Sequence, residues 1–208
     1  MPLSTNNTGS KKTEWLTFAG LMTLMFVLGG AGIWFSYFQT YHLATVQDGV
    51  LYRDGNHGMR EFATAVRNMH IKTVVTLIDD QELNDPDKPQ FKLEPVFLSQ
   101  QGVKQIRIPV KLGGWPSSDD IRKFLAIAAD PANRPVLVHC AQGVRRTGMF
   151  VAAYQESAMK FGPDQAKNAI LSFGHSDHVV DDVKAFIDAY DPVRMTVATT
   201  MPAASSDE

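Results

Sequence analysis

An uncharged run dominates the beginning of this chain. Residues 15–38 contain no Asp, Glu, Lys or Arg, and a helix of that length rises about 36 Å, enough to cross a hydrocarbon core of about 30 Å. Trp15 and Trp34 stand near its two ends, where aromatic side chains favour the headgroup regions of a bilayer. The pattern predicts one transmembrane helix, preceded by a disordered polar tail over residues 1–14.

Two other interpretations of residues 15–38 are weaker. A cleaved signal peptide has a shorter apolar region that ends at small residues, and a buried core helix normally carries a polar stripe. We therefore expect a retained single-pass anchor and a membrane location. Lys11 and Lys12 precede the run and only Arg53 follows it within residues 39–53, which favours a cytoplasmic amino terminus. So few charges do not decide the side on which the following domain lies.

The rest of the chain alternates short apolar runs with amphipathic segments. β-Branched apolar runs predict strands over residues 49–53, 71–78, 103–110 and 135–139. Helical spacing predicts helices over residues 58–70, 94–101, 119–129, 147–160, 163–172 and 178–189. The acidic, proline-containing stretch 79–92 is expected to be a loop. Alternating strands and helices predict an α/β domain over residues 49–190, with a mostly parallel central sheet flanked by helices. A polar linker (39–48) precedes this domain, and a disordered tail (191–208) follows it.

Charge and cysteine content exclude several classes of function. The formal net charge is −2, and residues 40–208 alone carry 18 basic against 21 acidic side chains, a charge of −3. Binding of nucleic acid through neutralised phosphates therefore has no support. Cys140 is the only cysteine, which excludes an intramolecular disulfide framework and a multi-cysteine zinc site. A lone cysteine is either a small buried residue or a reactive thiol, and its neighbours decide which.

The neighbours of Cys140 point to anion chemistry. Cys140 ends the last apolar run and begins a loop that opens a helix, so that backbone N–H groups and the helix dipole face one concavity. Such a concavity fits a tetrahedral dianion and favours thiolate over thiol. Arg146 can fold back over the loop and bind two phosphate oxygens. Arg145 is either a solvated charge or a contact for an acidic substrate. The predicted substrate-binding residues are Ala141, Gln142, Gly143, Val144, Arg145 and Arg146.

The pattern His-Cys-x-x-Gly-x-x-Arg-Thr-Gly over residues 139–148 resembles the motif of the cysteine-dependent protein tyrosine and dual-specificity phosphatase superfamily. Residues 49–53 and 71–77 extend the likeness to its compact bacterial and plant or fungal atypical branch. The resemblance implies the cysteine-phosphatase fold, in which Cys140 attacks phosphorus and forms a phosphocysteine. It implies that no metal or organic cofactor takes part.

The same resemblance assigns roles around Cys140. Arg146 and the loop N–H groups would hold the phosphoryl oxygens. Thr147 would donate to the cysteine sulfur, unless it only caps the helix. His139 would orient the loop, unless it only fills the core.

The general acid is where the sequence departs from the family pattern. In the small dual-specificity enzymes this aspartate lies about thirty residues before the cysteine, but residues 108–113 contain no carboxylate. The nearest candidates are Asp119 and Asp120, whose other interpretation is a negative charge that complements a helix dipole. Asp79 and Asp80, at another strand end, are more distant candidates. The acid is therefore not assigned to one residue.

The substrate also has more than one interpretation. Relatives that act on inositol phosphates or phosphoinositides often carry lysines inside the loop, whereas this loop adds only Arg145. We therefore expect a phosphorylated protein as partner, carrying phosphotyrosine alone or together with phosphoserine and phosphothreonine. A phosphoinositide or inositol polyphosphate is the enzymatic alternative. A pseudophosphatase with Cys140 and Arg146 but no effective acid is the non-enzymatic one. A rhodanese-type sulfurtransferase is disfavoured by the loop length and the Arg-Thr-Gly ending.

Overall fold

The computed structural model describes residues 8–38, 42–56, 58–173, 175 and 180–193. The chain divides into two units, residues 1–39 and 40–208. Helix α1, Thr8–Phe38, makes up the described part of the first unit and begins inside the predicted polar tail. Its segment Glu14–Gly32 is exposed throughout and has a mean hydropathy of 1.6, so it is long and apolar enough to cross a membrane. Of the predicted tails, 1–14 and 191–208, residues 1–7 and 194–208 lie outside the described residues.

The described part of the second unit is built from five strands and seven α-helices. The strands are β1 Ala44–Gln47, β2 Leu51–Gly55, β3 Thr73–Thr76, β4 Lys104–Arg107 and β5 Val136–Cys140. The helices are α2 Met59–Asn68, α3 Asp80–Leu83, α4 Gln90–Gln100, α5 Ser118–Ala129, α6 Arg145–Ser157, α7 Pro163–Ser172 and α8 Asp181–Ala189. Strand β1 lies in the segment that its polar composition predicts to be a linker.

The five strands form one mixed sheet in the order β1-β2-β5-β3-β4. Strand β1 pairs antiparallel with β2, while the pairs β2–β5, β5–β3 and β3–β4 are parallel. The three central strands therefore end at the same edge of the sheet. There Gly55 lies opposite Cys140, and Thr76 lies opposite His139. In parallel α/β sheets this carboxyl edge is where ligand sites form.

Helices cover both faces of the sheet, because successive strand residues point to opposite sides. Val75 and Val138 belong to a cluster with the apolar sides of α5, α6, α7 and α8. Val74 and Leu137 belong to a second cluster with residues of α2 and α4. With helices on both faces, every residue of β2, β3 and β5 is buried, as expected for the central strands of a mostly parallel sheet.

Helix α3 lies in the stretch that was expected to be a loop. Asp79 caps this helix by accepting hydrogen bonds from the backbone N–H groups of Gln81 and Glu82. The Glu82 side chain bonds back to the Asp79 N–H, which completes a capping box. A capping box stabilises a short helix despite neighbouring prolines. The sequence contains the Asp-x-x-Glu pattern of a capping box, but the acidic, proline-containing composition of residues 79–92 favoured the prediction of a loop.

Candidate active site

The loop after β5 curls around the sulfur of Cys140. This residue is only 3% exposed, and four residues, 141–144, separate it from the start of α6. Gly143 adopts a φ of +71°, a backbone conformation that side chains disfavour. In this conformation the Gly143 N–H donates to Cys140 Sγ at 3.2 Å. The predicted anion-binding loop is therefore wrapped around the thiol.

The loop packs directly against the end of strand β2. A Cβ atom on Gly143 would lie 2.5 Å from the Asp54 carbonyl oxygen, and one on Gly55 would lie 2.6 Å from the Gln142 carbonyl group. The Asn56 N–H donates to the Cys140 carbonyl oxygen at 3.0 Å. Two glycines thus allow two backbone segments to approach without side chains between them, and this approach fixes the position of the loop.

The environment of Cys140 favours its thiolate. Burial alone would raise the pKa of the Cys140 thiol. The Arg146 guanidinium and the Thr147 hydroxyl, together with backbone N–H groups, outweigh burial and hold that pKa below its ordinary value. Thr147 is fully buried, and its hydroxyl has no oxygen or nitrogen partner among the described residues. The Thr147 hydroxyl therefore acts on this site through its effect on the pKa of the neighbouring sulfur.

Arg146 is held in place by a partner that the sequence analysis missed. Its Nη1 and Nη2 donate to the two carboxylate oxygens of Glu82 at 2.5 and 2.9 Å, and both side chains are almost fully buried. Nη1 also donates to the carbonyl oxygens of Leu77 and Val110, at 3.2 and 3.0 Å. A bidentate pair of this kind fixes the plane of the guanidinium. Helix α3 thus presents the carboxylate that orients Arg146.

His139 lies beneath the loop within a second polar network. Its Nε2 is 3.0 Å from Oε1 of Glu94, and this oxygen also accepts a hydrogen bond from Gln105 at 2.8 Å. The other carboxylate oxygen, Oε2, accepts from Asn56 at 2.6 Å. Burial alone would lower the pKa of His139, but the Glu94 carboxylate outweighs burial and raises it. Nδ1 lies 3.3 Å from the Cys140 carbonyl oxygen. His139 therefore contacts the loop backbone as well as filling the core.

A cavity of about 560 Å³ opens above the sulfur. Its lining residues are Asn56, Glu82, Lys88, Gln90, Phe91, Leu112, Gly113, Cys140, Ala141, Gln142, Arg145 and Arg146. Three of them are cationic, and the one carboxylate, Glu82, is already bonded to Arg146. Lys88 was not predicted as a site residue. Among the residues that the structure describes, no group of three or more His, Cys, Asp or Glu side chains is placed to hold a metal ion.

The two cations at the rim of the cavity have acidic neighbours. Lys88 Nζ lies 2.9 Å from an Asp85 carboxylate oxygen. Arg145 lies 2.5 Å from the Asp182 carboxylate of α8, and its Nη2 donates to the Gly113 carbonyl oxygen at 3.0 Å. Arg145 is therefore more than a solvated charge, since it joins the loop before α5 to helix α8.

The structure places Asp119 and Asp120 at the start of α5, outside the lining of the cavity. The Asp120 carboxylate accepts hydrogen bonds from the N–H and hydroxyl of Ser117, at 2.9 and 2.7 Å, in a capping box. Asp119 is mostly exposed and pairs with Arg122. These contacts match the helix-terminal interpretation of both residues, so their role as general acid stays a prediction without geometric support.

Asp79 and Asp80, the more distant candidates for the acid, are engaged in other contacts. Burial alone would raise the pKa of Asp79, but three backbone N–H donors, including that of Leu112 at 3.0 Å, hold this pKa below its ordinary value. An aspartate with a lowered pKa is ionised at neutral pH and has no proton to give. Asp80 pairs with Arg107 at 2.7 Å.

Comparisons with known proteins agree with this geometry. Residues 50–183 match a family model described as "DSP-PTPase phosphatase fused to NAD+ Kinase". The chain is 24% identical over 112 residues to a probable chloroplastic NAD kinase 2 of Oryza sativa subsp. japonica, covering 54% of this chain and 11% of that protein. It is 27% identical over 112 residues to the inositol diphosphatase SIW14 of Saccharomyces cerevisiae, covering 52% of this chain and 37% of that protein. The chain thus spans well under half the length of these relatives.

Solved structures show the same fold. The core catalytic domain of the PP-IP phosphatase SIW14 from S. cerevisiae, in complex with citrate, superimposes with a TM-score of 0.62 at 21% identity and covers 76% of this chain and 91% of that one. TpbA of P. aeruginosa in complex with pTyr superimposes with a TM-score of 0.60 at 21% identity and covers 78% and 92%.

The family model covers more than half of the chain, including the loop motif, the strand that carries Cys140 and helix α6. The resemblance inferred from residues 139–148 is thereby confirmed. This chain belongs to the family described as DSP-PTPase phosphatase fused to NAD+ kinase, within the cysteine-dependent tyrosine and dual-specificity phosphatase superfamily.

Proposed function

We propose that this protein is a membrane-anchored phosphatase that hydrolyses phosphomonoesters through a phosphocysteine intermediate. One observation carries the proposal: Cys140, with a lowered pKa, lies at the base of a cavity beside the buried guanidinium of Arg146. A thiolate, a ring of N–H donors and a fixed guanidinium are the parts that phosphoryl transfer to sulfur requires.

The proposed reaction has two displacements at phosphorus. The Cys140 thiolate attacks phosphorus, an S–P bond forms and the bond to the ester oxygen breaks. The ester oxygen leaves with the electron pair and takes up a proton from solvent, which balances the proton that the attacking water later releases. Arg146 and the loop N–H groups bind the equatorial oxygens as negative charge spreads over them. A water molecule then attacks phosphorus, the S–P bond breaks, and the electron pair returns to sulfur. Thr147 stabilises that departing thiolate, and the products are an alcohol and inorganic phosphate.

The cavity favours substrates whose leaving groups need little protonation. Its one carboxylate, Glu82, is bonded to Arg146, and neither Asp119 nor Asp120 lines it. An aryl leaving group such as the tyrosine phenolate is less basic than the alkoxide of serine or threonine. This difference supports phosphotyrosine in a protein as the first candidate substrate.

A phosphoanhydride of an inositol phosphate is the second candidate. Its leaving group is a phosphate, which departs readily without a proton. Lys88 adds a second cation at the rim of the cavity beside Arg145, which is the extra cation that the loop sequence alone reveals. SIW14, which is 27% identical over 112 residues, is described as an inositol diphosphatase.

We further propose that Glu14–Gly32 anchors the protein in a membrane. Length, mean hydropathy and complete exposure of this segment support the proposal. A cleaved signal sequence would have the same composition. Extraction of membranes at alkaline pH distinguishes the two, because an anchored chain stays in the pellet at full length and a processed chain is released and lacks its amino terminus.

Hydrolysis of para-nitrophenyl phosphate by the full-length chain in detergent micelles tests the phosphatase proposal. We expect turnover by the wild type, none by Cys140→Ser, and a loss of at least about a hundredfold in Arg146→Lys, because Lys cannot form the bidentate contact. A panel of phosphotyrosyl peptide, phosphoinositide vesicles and inositol diphosphate then ranks the substrates. A wild type that binds tungstate but turns over nothing would instead indicate a pseudophosphatase.

A further inference from the structure

Two carbonyl groups of the Cys140 loop are bound from behind by side chains that the proposed reaction does not use. His42 Nδ1 lies 2.7 Å from the Gln142 carbonyl oxygen, and Arg53 Nη2 donates to the Gly143 carbonyl oxygen. Since a carbonyl oxygen only accepts, His42 must carry a proton on Nδ1. The two anchored carbonyls belong to consecutive peptide groups of the loop.

Anchoring a carbonyl also aims an N–H group. In a planar trans peptide the C=O and N–H bonds point in opposite directions. Holding the Gln142 carbonyl toward His42 therefore turns the Gly143 N–H the other way, and this N–H meets Cys140 Sγ at 3.2 Å. Holding the Gly143 carbonyl toward Arg53 likewise turns the N–H of Val144 away from Arg53. By holding these two carbonyl groups, His42 and Arg53 thus fix the directions of two successive N–H groups of the anion-binding loop.

Arg53 occupies this position at an energetic cost. Its side chain is fully buried on β2, and its Nε and Nη1 find no hydrogen-bonding partner among the residues that the structure describes. The guanidinium lies over the ring of Phe173, 4.4 Å from its centroid. Burial lowers the pKa of Arg53 to about 10 despite the nearby Cys140 and Asp54. A cation that is retained in such surroundings is hard to explain by stability alone.

A second histidine completes the contacts of Arg53. Arg53 Nη2 lies 2.9 Å from Nε2 of His175, which must be unprotonated to accept this hydrogen bond. The His175 ring meets the His42 ring edge to face, with 4.7 Å between the centroids. Burial, Arg53 and His42 together lower the pKa of His175 to about 4, so it stays neutral near pH 7. Three separate segments of the chain thus meet behind the loop.

We propose that Arg53, His42 and His175, together called the carbonyl anchor, position the loop so that its N–H groups face the Cys140 sulfur and the phosphoryl group. The phosphoryl part of this proposal rests on the proposed function. The effect on the sulfur does not, because the Gly143 N–H contacts that sulfur directly. Arg53 and His42 are positioning residues, since they act through the backbone and not on the substrate.

Two measurements on the full-length chain in detergent micelles test the carbonyl anchor. The first is the dissociation constant of tungstate, an oxyanion with the shape of phosphate. The second is the pKa of Cys140, taken from the pH dependence of alkylation by iodoacetamide, which is specific because the chain has one cysteine. We expect Arg53→Met to weaken tungstate binding by about tenfold or more and to raise the Cys140 pKa. We expect His42→Phe to change both in the same direction but less.

The chain offers a matched control for each variant. Arg67 also lies over an aromatic ring, 5.2 Å from its centroid, and donates from Nε to Gln101 at 3.1 Å, but it does not contact the loop. His70 is exposed and has a φ of +50°, close to the +58° of His42. Arg67→Met and His70→Phe should therefore leave both measurements at their wild-type values.

A merely structural role would lower the melting temperature without changing either measurement in the folded protein. Wild-type values in a folded Arg53→Met would overturn the proposal. If Arg53→Met does not fold, His42→Phe decides, and the proposal fails if this variant behaves like His70→Phe. A wild type without tungstate binding would refute the proposed function, while the Cys140 pKa would still test the anchor.

Discussion

The close approach of strand β2 to the Cys140 loop leads to a prediction in which the effect of steric overlap can be distinguished from that of backbone conformation. A Cβ atom on Gly55 would lie 2.6 Å from the Gln142 carbonyl group, whereas ordinary contacts begin at 3.4 Å. The strand end and the loop would therefore have to separate by about 0.8 Å. A displacement of about 1 Å in a catalytic constellation lowers turnover by about a hundredfold. We expect Gly55→Ala to lower kcat toward para-nitrophenyl phosphate by about that factor.

The stability cost separates steric overlap from backbone conformation. Gly102 has a φ of +68° and open space around it, so Gly102→Ala should cost only the conformational term, about 1–2 kcal/mol. Gly55 has the overlap without a positive φ, and overpacking costs about 1–3 kcal/mol. Gly143 combines both, so Gly143→Ala should lower the free energy of unfolding by about 2–5 kcal/mol.

Three measurements on these variants test whether the strand end fixes the position of the loop: urea unfolding, kcat and tungstate binding. Gly102→Ala should lose stability and keep wild-type kcat and tungstate binding. Gly55→Ala should lose kcat and tungstate binding even where it is fully folded. If Gly55→Ala keeps both at wild-type values, then the strand end does not fix the position of the loop, and the reasoning from the two glycines is wrong.

Two further predictions concern carboxylates. Burial raises the pKa of Asp54 from 3.8 to about 7, so the folded state binds the extra proton and stability falls as the pH rises from about 4 to about 7. Asp54→Asn should remove this loss. In urea unfolding it should stabilise the protein by up to about 4 kcal/mol at pH 8 and by little at pH 4. An equal effect at both pH values would contradict the assignment. Asp120→Ala should lower the free energy of unfolding by about 1 kcal/mol through loss of the α5 cap, with kcat within a few-fold of the wild type. A lost acid limb in its pH–rate profile would instead make Asp120 the general acid.

The sequence predicted those parts of the fold that depend on local pattern. Continuous apolar runs placed the three central strands, and helical spacing placed α2, α5 and α7 within two residues of their observed bounds. Strand β1 escaped prediction because an edge strand is only half buried and carries polar residues. Helix α3 escaped because a single capped turn has no periodicity to detect.

The candidate site was predictable where its residues are contiguous. Cys140, Arg146 and Thr147 lie in one motif, and the structure brings them together around the sulfur. Glu82 and Arg53 reach this group from segments that are far away along the chain, and no local pattern connects them with it. Asp119 and Asp120 lie close in sequence to the family's acid position but outside the lining of the cavity, so their role as general acid stays a prediction.

The pairing of Arg146 with Glu82 also limits how this motif can be transferred between proteins. The strand, loop and helix over residues 136–157 look like a self-contained cassette, but the carboxylate that orients the arginine comes from residues 80–83. A graft of the cassette alone into a related scaffold would deliver a buried guanidinium without its counter-ion. Segment 79–83 and the cassette therefore depend on each other, and we expect a working graft to require both of them from the same protein.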